Sequence, residues 1–185
     1  MRKAFAVILL AIGAATVLAV SAFARGGDEK NSFKATLNGY NEVVGGVGAS
    51  TGSVSTGATG TFRAKLRDGG TKLDFTLTYS AMEGGTVTVA HPHFAQRHVG
   101  GGVFGFFCGG PKPACPSPGG TVQGTWTAAD VIGPVDQGVQ VAAFDEFVRA
   151  LRSGAVYVNV HSNGGTPSYP EGEIRGQVSA SGDDD

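Results

Sequence analysis

Charge is scarce in this chain, and basic charge is scattered. Lys and Arg total 14 and Asp and Glu 15 among 185 residues. They form no basic stripe or cluster, which argues against nucleic acid or an anionic membrane surface as partner. Sulfur and indole are rarer still, with two cysteines, two methionines and one tryptophan. Two cysteines cannot build the Cys-rich frame of a disulfide-dense scaffold, nor a four-cysteine zinc site. No Asn-x-Ser/Thr sequon occurs, so glycosylation offers no clue. The serines cluster in loops where no residue stands out as an activating base, so nucleophilic catalysis has little to build on. An enzyme is not expected.

Glycine is abundant instead, at 31 residues, more than twice the usual share. Beside Val- and Thr-rich stretches, that density predicts many tight turns between short strands and excludes a helical bundle. The N-terminus reads as an export signal over 1–24. Arg2 and Lys3 precede an uncharged apolar run, Ala4 to Val20, and Ala22-Phe23-Ala24 offers the small-x-small pattern of a cleavage site. A retained membrane anchor is the alternative, because the run lies at the lower length limit for a spanning helix. Cleavage would leave no membrane span and tip the charge balance toward acid. The expected product is secreted or extracytoplasmic. A polar linker follows over 25–32, then one domain over 33–179, then an acidic tail over 180–185 ending in three aspartates.

Both cysteines survive such processing. Cys108 and Cys115 enclose six residues rich in Gly and Pro, and in an oxidising compartment they most simply pair as one disulfide. Closing so small a loop stabilises by roughly 2–2.5 kcal/mol in the chain-entropy account. A redox-active pair is disfavoured because the spacing is not Cys-x-x-Cys.

Periodicity places the strands. Phe62, Ala64 and Leu66 alternate with polar neighbours, as do Leu73, Phe75, Leu77 and Tyr79, on either side of Asp68-Gly69-Gly70. Period-two alternation across an Asp-Gly turn predicts a hairpin. Further strands are expected at 33–37, 86–91, 102–107, 121–127, 155–161 and 173–179, and the stretch 43–59 as a long loop. Phe144, Phe147, Val148 and Leu151 form a stripe at helical spacing. Asp145 and Glu146 sit in its first turn, Arg149 and Arg152 toward its end, and Gly154 beyond. The sum is an all-β, antiparallel β-sandwich of about seven or eight strands, with one short helix near 143–152.

Two groups of residues could carry chemistry. His91-Pro92-His93 ends one strand, so both imidazoles point to one side. His161 ends another, on the side of Tyr157 and Asn159. Two histidines at i, i+2 joined by a third can hold Zn²⁺ or Cu²⁺ and leave a position open. Pro92 works against this, since a proline removes a ladder hydrogen bond and would twist the pair apart. The histidines otherwise serve as structural hydrogen-bonding groups. The second group is the closing hairpin, where Glu173, Arg175 and Gln177 share one face. If the two strands pair, Asn159, His161, Glu173 and Arg175 form a cross-strand polar network that pins the register. Trp126 is expected in the core.

Four stretches in order carry a resemblance: Leu37-Asn38-Gly39-Tyr40-Asn41-Glu42, Ala90-His91-Pro92-His93, Tyr157-Val158-Asn159-Val160-His161-Ser162 and Gly172-Glu173-Ile174-Arg175-Gly176-Gln177. Together they resemble the CHRD (chordin) domain family, across about residues 33–179. The loop from Phe107 to Pro116 is similar to that of secreted bacterial members. Val44 stands where members often carry proline, and Pro92 where they carry an aliphatic residue. The resemblance implies an exported, immunoglobulin-like sandwich without an assigned activity. Its partner would be an extracellular protein or envelope component, and no cofactor is required unless the histidines hold zinc or copper. A His-x-His strand in a sandwich is also similar to copper/zinc superoxide dismutase, whose further zinc ligands are not evident here.

Overall fold

The computed structural model describes residues 30–45 and 52–181. The stretch read as an export signal, most of the expected linker, the middle of the 43–59 loop and the terminal aspartates lie outside the described residues. Nine strands fall within it: β1 Ser32–Asn38, β2 Thr59–Arg67, β3 Lys72–Ser80, β4 Gly85–Phe94, β5 Gly102–Val103, β6 Gly120–Trp126, β7 Val156–Gly164, β8 Tyr169–Gln177 and β9 Ser179–Ser181. One α-helix, α1, spans Phe144–Ser153. The all-β antiparallel expectation with a single short helix therefore holds. The strands are hydrogen-bonded in one order, β5-β4-β7-β8-β1-β2-β3-β6, with β9 also on β1, and the sheet curls as a half-barrel.

The β2–β3 hairpin forms as the alternation dictates. Its register is unbroken from Thr59↔Ser80 to Arg67↔Lys72, and Asp68, Gly69 and Gly70 all turn with positive φ. Every second residue is buried in both strands, with Phe62, Leu66, Leu73, Leu77 and Tyr79 facing the core. Helix α1 buries Phe144, Phe147, Val148, Ala150 and Leu151, and Gly154 closes it in the left-handed region, its N–H reaching the Ala150 and Leu151 carbonyls. Arg149 does not serve the helix end. It turns back to Asp145 and Glu146. Trp126 is buried between Phe107 and Phe147, and its indole N–H donates to the Phe106 carbonyl.

Cys108 and Cys115 form the expected disulfide, with Cα atoms 5.0 Å apart. Tyr79 Oη, 2.7 Å from the Pro116 carbonyl oxygen, ties the end of that loop to β3. The segment 102–107 is a strand only at Gly102–Val103. Phe104 and Phe107 are both buried, a spacing of three that a strand of period two cannot supply. The chain there leans on β4 by isolated bonds, from Phe104 N–H to Pro92 O and from Phe107 N–H to Ala90 O.

The two arms of the sheet join at β1. Along one edge it pairs with β2, and along the other with β8 at Asn38↔Arg175 and with β9 from Ser32↔Ser181 to Lys34↔Ser179. Val178 is the switch point, its N–H bonding Val156 O on β7 before the chain crosses to β1. Gly176 permits the close approach there, since a Cβ on it would lie 2.5 Å from the Thr36 carbonyl oxygen.

Candidate metal centre

Strands β4 and β7 pair with His91 opposite Asn159 and His93 opposite Tyr157. Pro92 stays in register, opposite Val158. Its carbonyl accepts from Phe104 on the far side. In an antiparallel ladder a residue's N and O point the same way, so the nitrogen lacking a proton also faces away from β7. The β4–β7 ladder loses nothing, and the two rings are not twisted apart. This corrects the expectation drawn from Pro92.

His91, His93 and His161 converge. One ring nitrogen from each lies within 4.8 Å of the others. His91 meets His93 edge-on at 4.4 Å between ring centres and His161 at 4.7 Å. All three are buried, at 6–8 % exposure. Two of them are held from behind by backbone carbonyls. His93 Nδ1 lies 2.8 Å from Gly101 O and His161 Nδ1 lies 2.9 Å from Pro170 O. A carbonyl can only accept, so each Nδ1 carries the proton and each Nε2 presents a lone pair. That is the outer support characteristic of metal-ligating histidines. His93 Nε2 faces His91 Nδ1 at 2.7 Å and Asn159 Oδ1 at 3.1 Å. His161 Nε2 is buried with no hydrogen-bond partner among the described residues.

Burial is the largest influence on the three imidazoles and favours their neutral form. His91 is pushed down to about 2 and His93 to about 4, with His161 also lowered; neighbouring imidazoles add to the shift at His91 and His93. Neutral imidazole is the form that binds a metal.

Tyr157 stacks on His93, its ring 4.6 Å away and nearly parallel. Arg175 covers the other face of Tyr157, with Cζ 3.4 Å from the ring centre. The guanidinium donates to Gln96 O and Val99 O, and so anchors the turn that carries Gly101. Asn159 and Arg175 are direct partners in the β7–β8 register, as parity predicts.

Glu173 does not join them. The β7–β8 register shifts between Val160 and Ser162, and this bulge turns the Glu173 carboxyl toward Ser162. It accepts there from Ser162 Oγ, Thr56 Oγ1 and the Glu83 and Gly84 N–H groups. The expected four-residue network is thus two networks, one around Arg175 and one around Glu173.

Glu42 belongs to the site, although no periodicity marks it. It follows the Gly39–Asn41 turn, which Asn38 caps, and is 3 % exposed. Burial pushes its carboxyl up to about 7, against the opposing effects of the Val43 N–H, Arg175 and the Asn159 amide. Glu42, Glu171, Asn159, Tyr157 and His93 line a cleft of about 120 Å³ that opens beside the histidines. The only sequence signal for Glu42 is its place in the first of the four family stretches.

No helix among the described residues is long and apolar enough to cross a membrane. No curated protein and no solved structure matches the chain. The CHRD domain matches residues 33–178, a span that contains every residue of the centre, and the chain belongs to the CHRD domain family.

Proposed function

We propose that this chain is a secreted or cell-envelope CHRD module without catalytic activity that binds Zn²⁺ or Cu²⁺ through His91, His93 and His161. One observation carries the reading: the buried Nε2 of His161 has no hydrogen-bond partner among the described residues. Leaving a buried polar atom unpaired costs about 1–3 kcal/mol, and a shared cation would satisfy it together with His91 and His93. The chemistry of the donor set fits, since imidazole suits both metals and the carbonyls of Gly101 and Pro170 fix the ring orientation. Export is supported by the apolar N-terminal run, the family and the disulfide. The partner would be an extracellular protein or an envelope component.

The test is metal content by mass spectrometry on protein purified without chelator, with zinc and copper titration calorimetry of wild type and His91→Ala. Stoichiometric metal that the variant loses supports the site. Absence of metal, with no binding tighter than roughly micromolar, leaves the histidines structural and the module metal-free.

A further inference from the structure

Asn159 occupies a position that a purely structural amide would avoid. Its Oδ1 lies 3.1 Å from His93 Nε2. Because His93 donates through Nδ1 to Gly101 O, that Nε2 is a lone pair, and an amide oxygen is an acceptor only. Two acceptors at hydrogen-bond distance need positive charge between or beside them. In the metal-free protein the proton on His91 Nδ1, 2.7 Å from His93 Nε2, can supply it.

The amide cannot relieve the contact by turning over. Its nitrogen side faces Glu42: a Cβ added to Gly172 would fall 2.4 Å from Glu42 Oε2 and 3.0 Å from Asn159 Nδ2, so both groups line one tight cradle. Reversing the amide would bring Oδ1 toward Glu42 Oε2, a buried carboxyl oxygen with no hydrogen-bond partner among the described residues. Residue 172 is glycine, with φ +131°, and any side chain there would separate the pair.

Resting on the trihistidine reading, we propose that Asn159 Oδ1 is the fourth ligand of the centre, aimed by Glu42, and that the site is closed and four-coordinate. The ion takes the place of the shared proton, and His91 stays neutral by carrying its proton on Nε2. Three imidazoles and one carbonyl oxygen, without sulfur, suit a divalent ion over Cu⁺. A filled fourth position marks a structural centre, whereas catalytic zinc keeps one position for water or substrate. The ion then clamps β4 to β7, consistent with a binding module.

The experiment uses cobalt(II) as a visible probe in wild type, Asn159→Ala and Asn159→Asp, with azide as competing ligand. The wild-type cobalt spectrum is expected to ignore azide. Asn159→Ala should bind cobalt about 10-fold or more weakly, since losing a ligand costs at least what losing its outer support does, and its spectrum should shift with azide. Asn159→Asp, which keeps an oxygen in place, should stay silent to azide and bind at least as tightly as wild type. A wild-type spectrum that responds to azide overturns the closed site even if Asn159→Ala fails to fold. So does an Asn159→Ala protein with wild-type cobalt affinity. Wild type that takes up neither cobalt nor zinc overturns the metal reading itself, and this inference with it.

Discussion

The two arms of the sheet are built on opposite plans. In the arm of β2 and β3, buried and exposed residues alternate without exception at the level of the core, and the outward face is mostly threonine, lysine and arginine, with Asp74 and Ser80. In the arm of β4, β7 and β8, burial runs through consecutive residues, from Val156 to Ser162 and from Gly172 to Gly176. Its second face is covered too, but by histidine, asparagine, glutamate and arginine rather than by apolar side chains. A strand buried on both faces ordinarily reads as a continuous apolar run. Here polar groups fill the second face, each desolvated and in need of a partner. The first arm is held by apolar burial, and the second depends on finding a partner for each buried polar group.

Substitutions can break this contrast or sharpen it. The largest losses are expected from Leu77→Ala and Glu173→Ala. Leu77 is fully buried, and its truncation should cost about 2–5 kcal/mol. Glu173→Ala strands two backbone N–H groups and two hydroxyls, at about 1–3 kcal/mol for each group left unsatisfied. Both are read by urea denaturation. Leu77→Ala should leave metal affinity unchanged when folded protein is titrated, and a parallel loss of affinity would show that the arms are not separable.

Arg175→Lys comes next. A lysine cannot lie flat on Tyr157 while donating to both Gln96 and Val99, so the turn bearing Gly101 loosens and His93 loses its support. A stability loss of about 1–3 kcal/mol with a roughly 10-fold weaker metal affinity is expected. Wild-type affinity in a destabilised Arg175→Lys protein would separate the guanidinium stack from the centre.

A smaller effect concerns pH in the metal-free protein. The three imidazoles are held below their ordinary value of 6.5. The unfolded chain therefore binds protons that the folded one refuses, and stability drops as pH falls below about 6.5. Glu42 runs the other way. Its folded value of about 7 lies above the ordinary 4.5, so its contribution is present below pH 4.5 and is lost as pH rises through 7. The two effects oppose each other between these values. Glu42→Gln should therefore steepen the loss of stability between pH 6.5 and 4.5, measured as urea midpoints. An unchanged slope would place Glu42 outside the buried polar face.

The smallest change is expected at α1. Arg149 pairs with Asp145 and Glu146 in the open, and Arg149→Ala should leave the urea midpoint essentially unchanged. A larger loss would mean that surface charge matters more to this sparsely charged chain than its exposure suggests.

The first arm was legible in the sequence because its signals are local. Alternation fixes the face of each residue, Asp68-Gly69-Gly70 fixes the turn, and Gly154 ends the helix. The second arm was legible only in part. Parity puts His91 beside His93 and Asn159 beside His161, and the pairing of Asn159 with Arg175 follows once β7 meets β8. Parity fails at a bulge, which is why Glu173 left the stripe it shares with Arg175 in sequence. It is silent on a residue outside any strand, which is why Glu42 went unmarked. The three residues of β9 and the irregular path of Phe104 to Phe107 depend on distant partners, and no local pattern encodes them.

The pairing of Ser32 with Ser181 has a kinetic meaning. Each arm contains hairpins that can form from neighbouring segments, but the seam along β1 waits for residues from opposite ends of the described chain. The entropy of closing that long loop enters the rate of folding far more than the final stability. Until the seam closes, β1 and the edge of β8 present unpaired backbone to other molecules. The seam is thus the step at which this module is most exposed to mispairing, and the Gly176 contact with Thr36 lies along it.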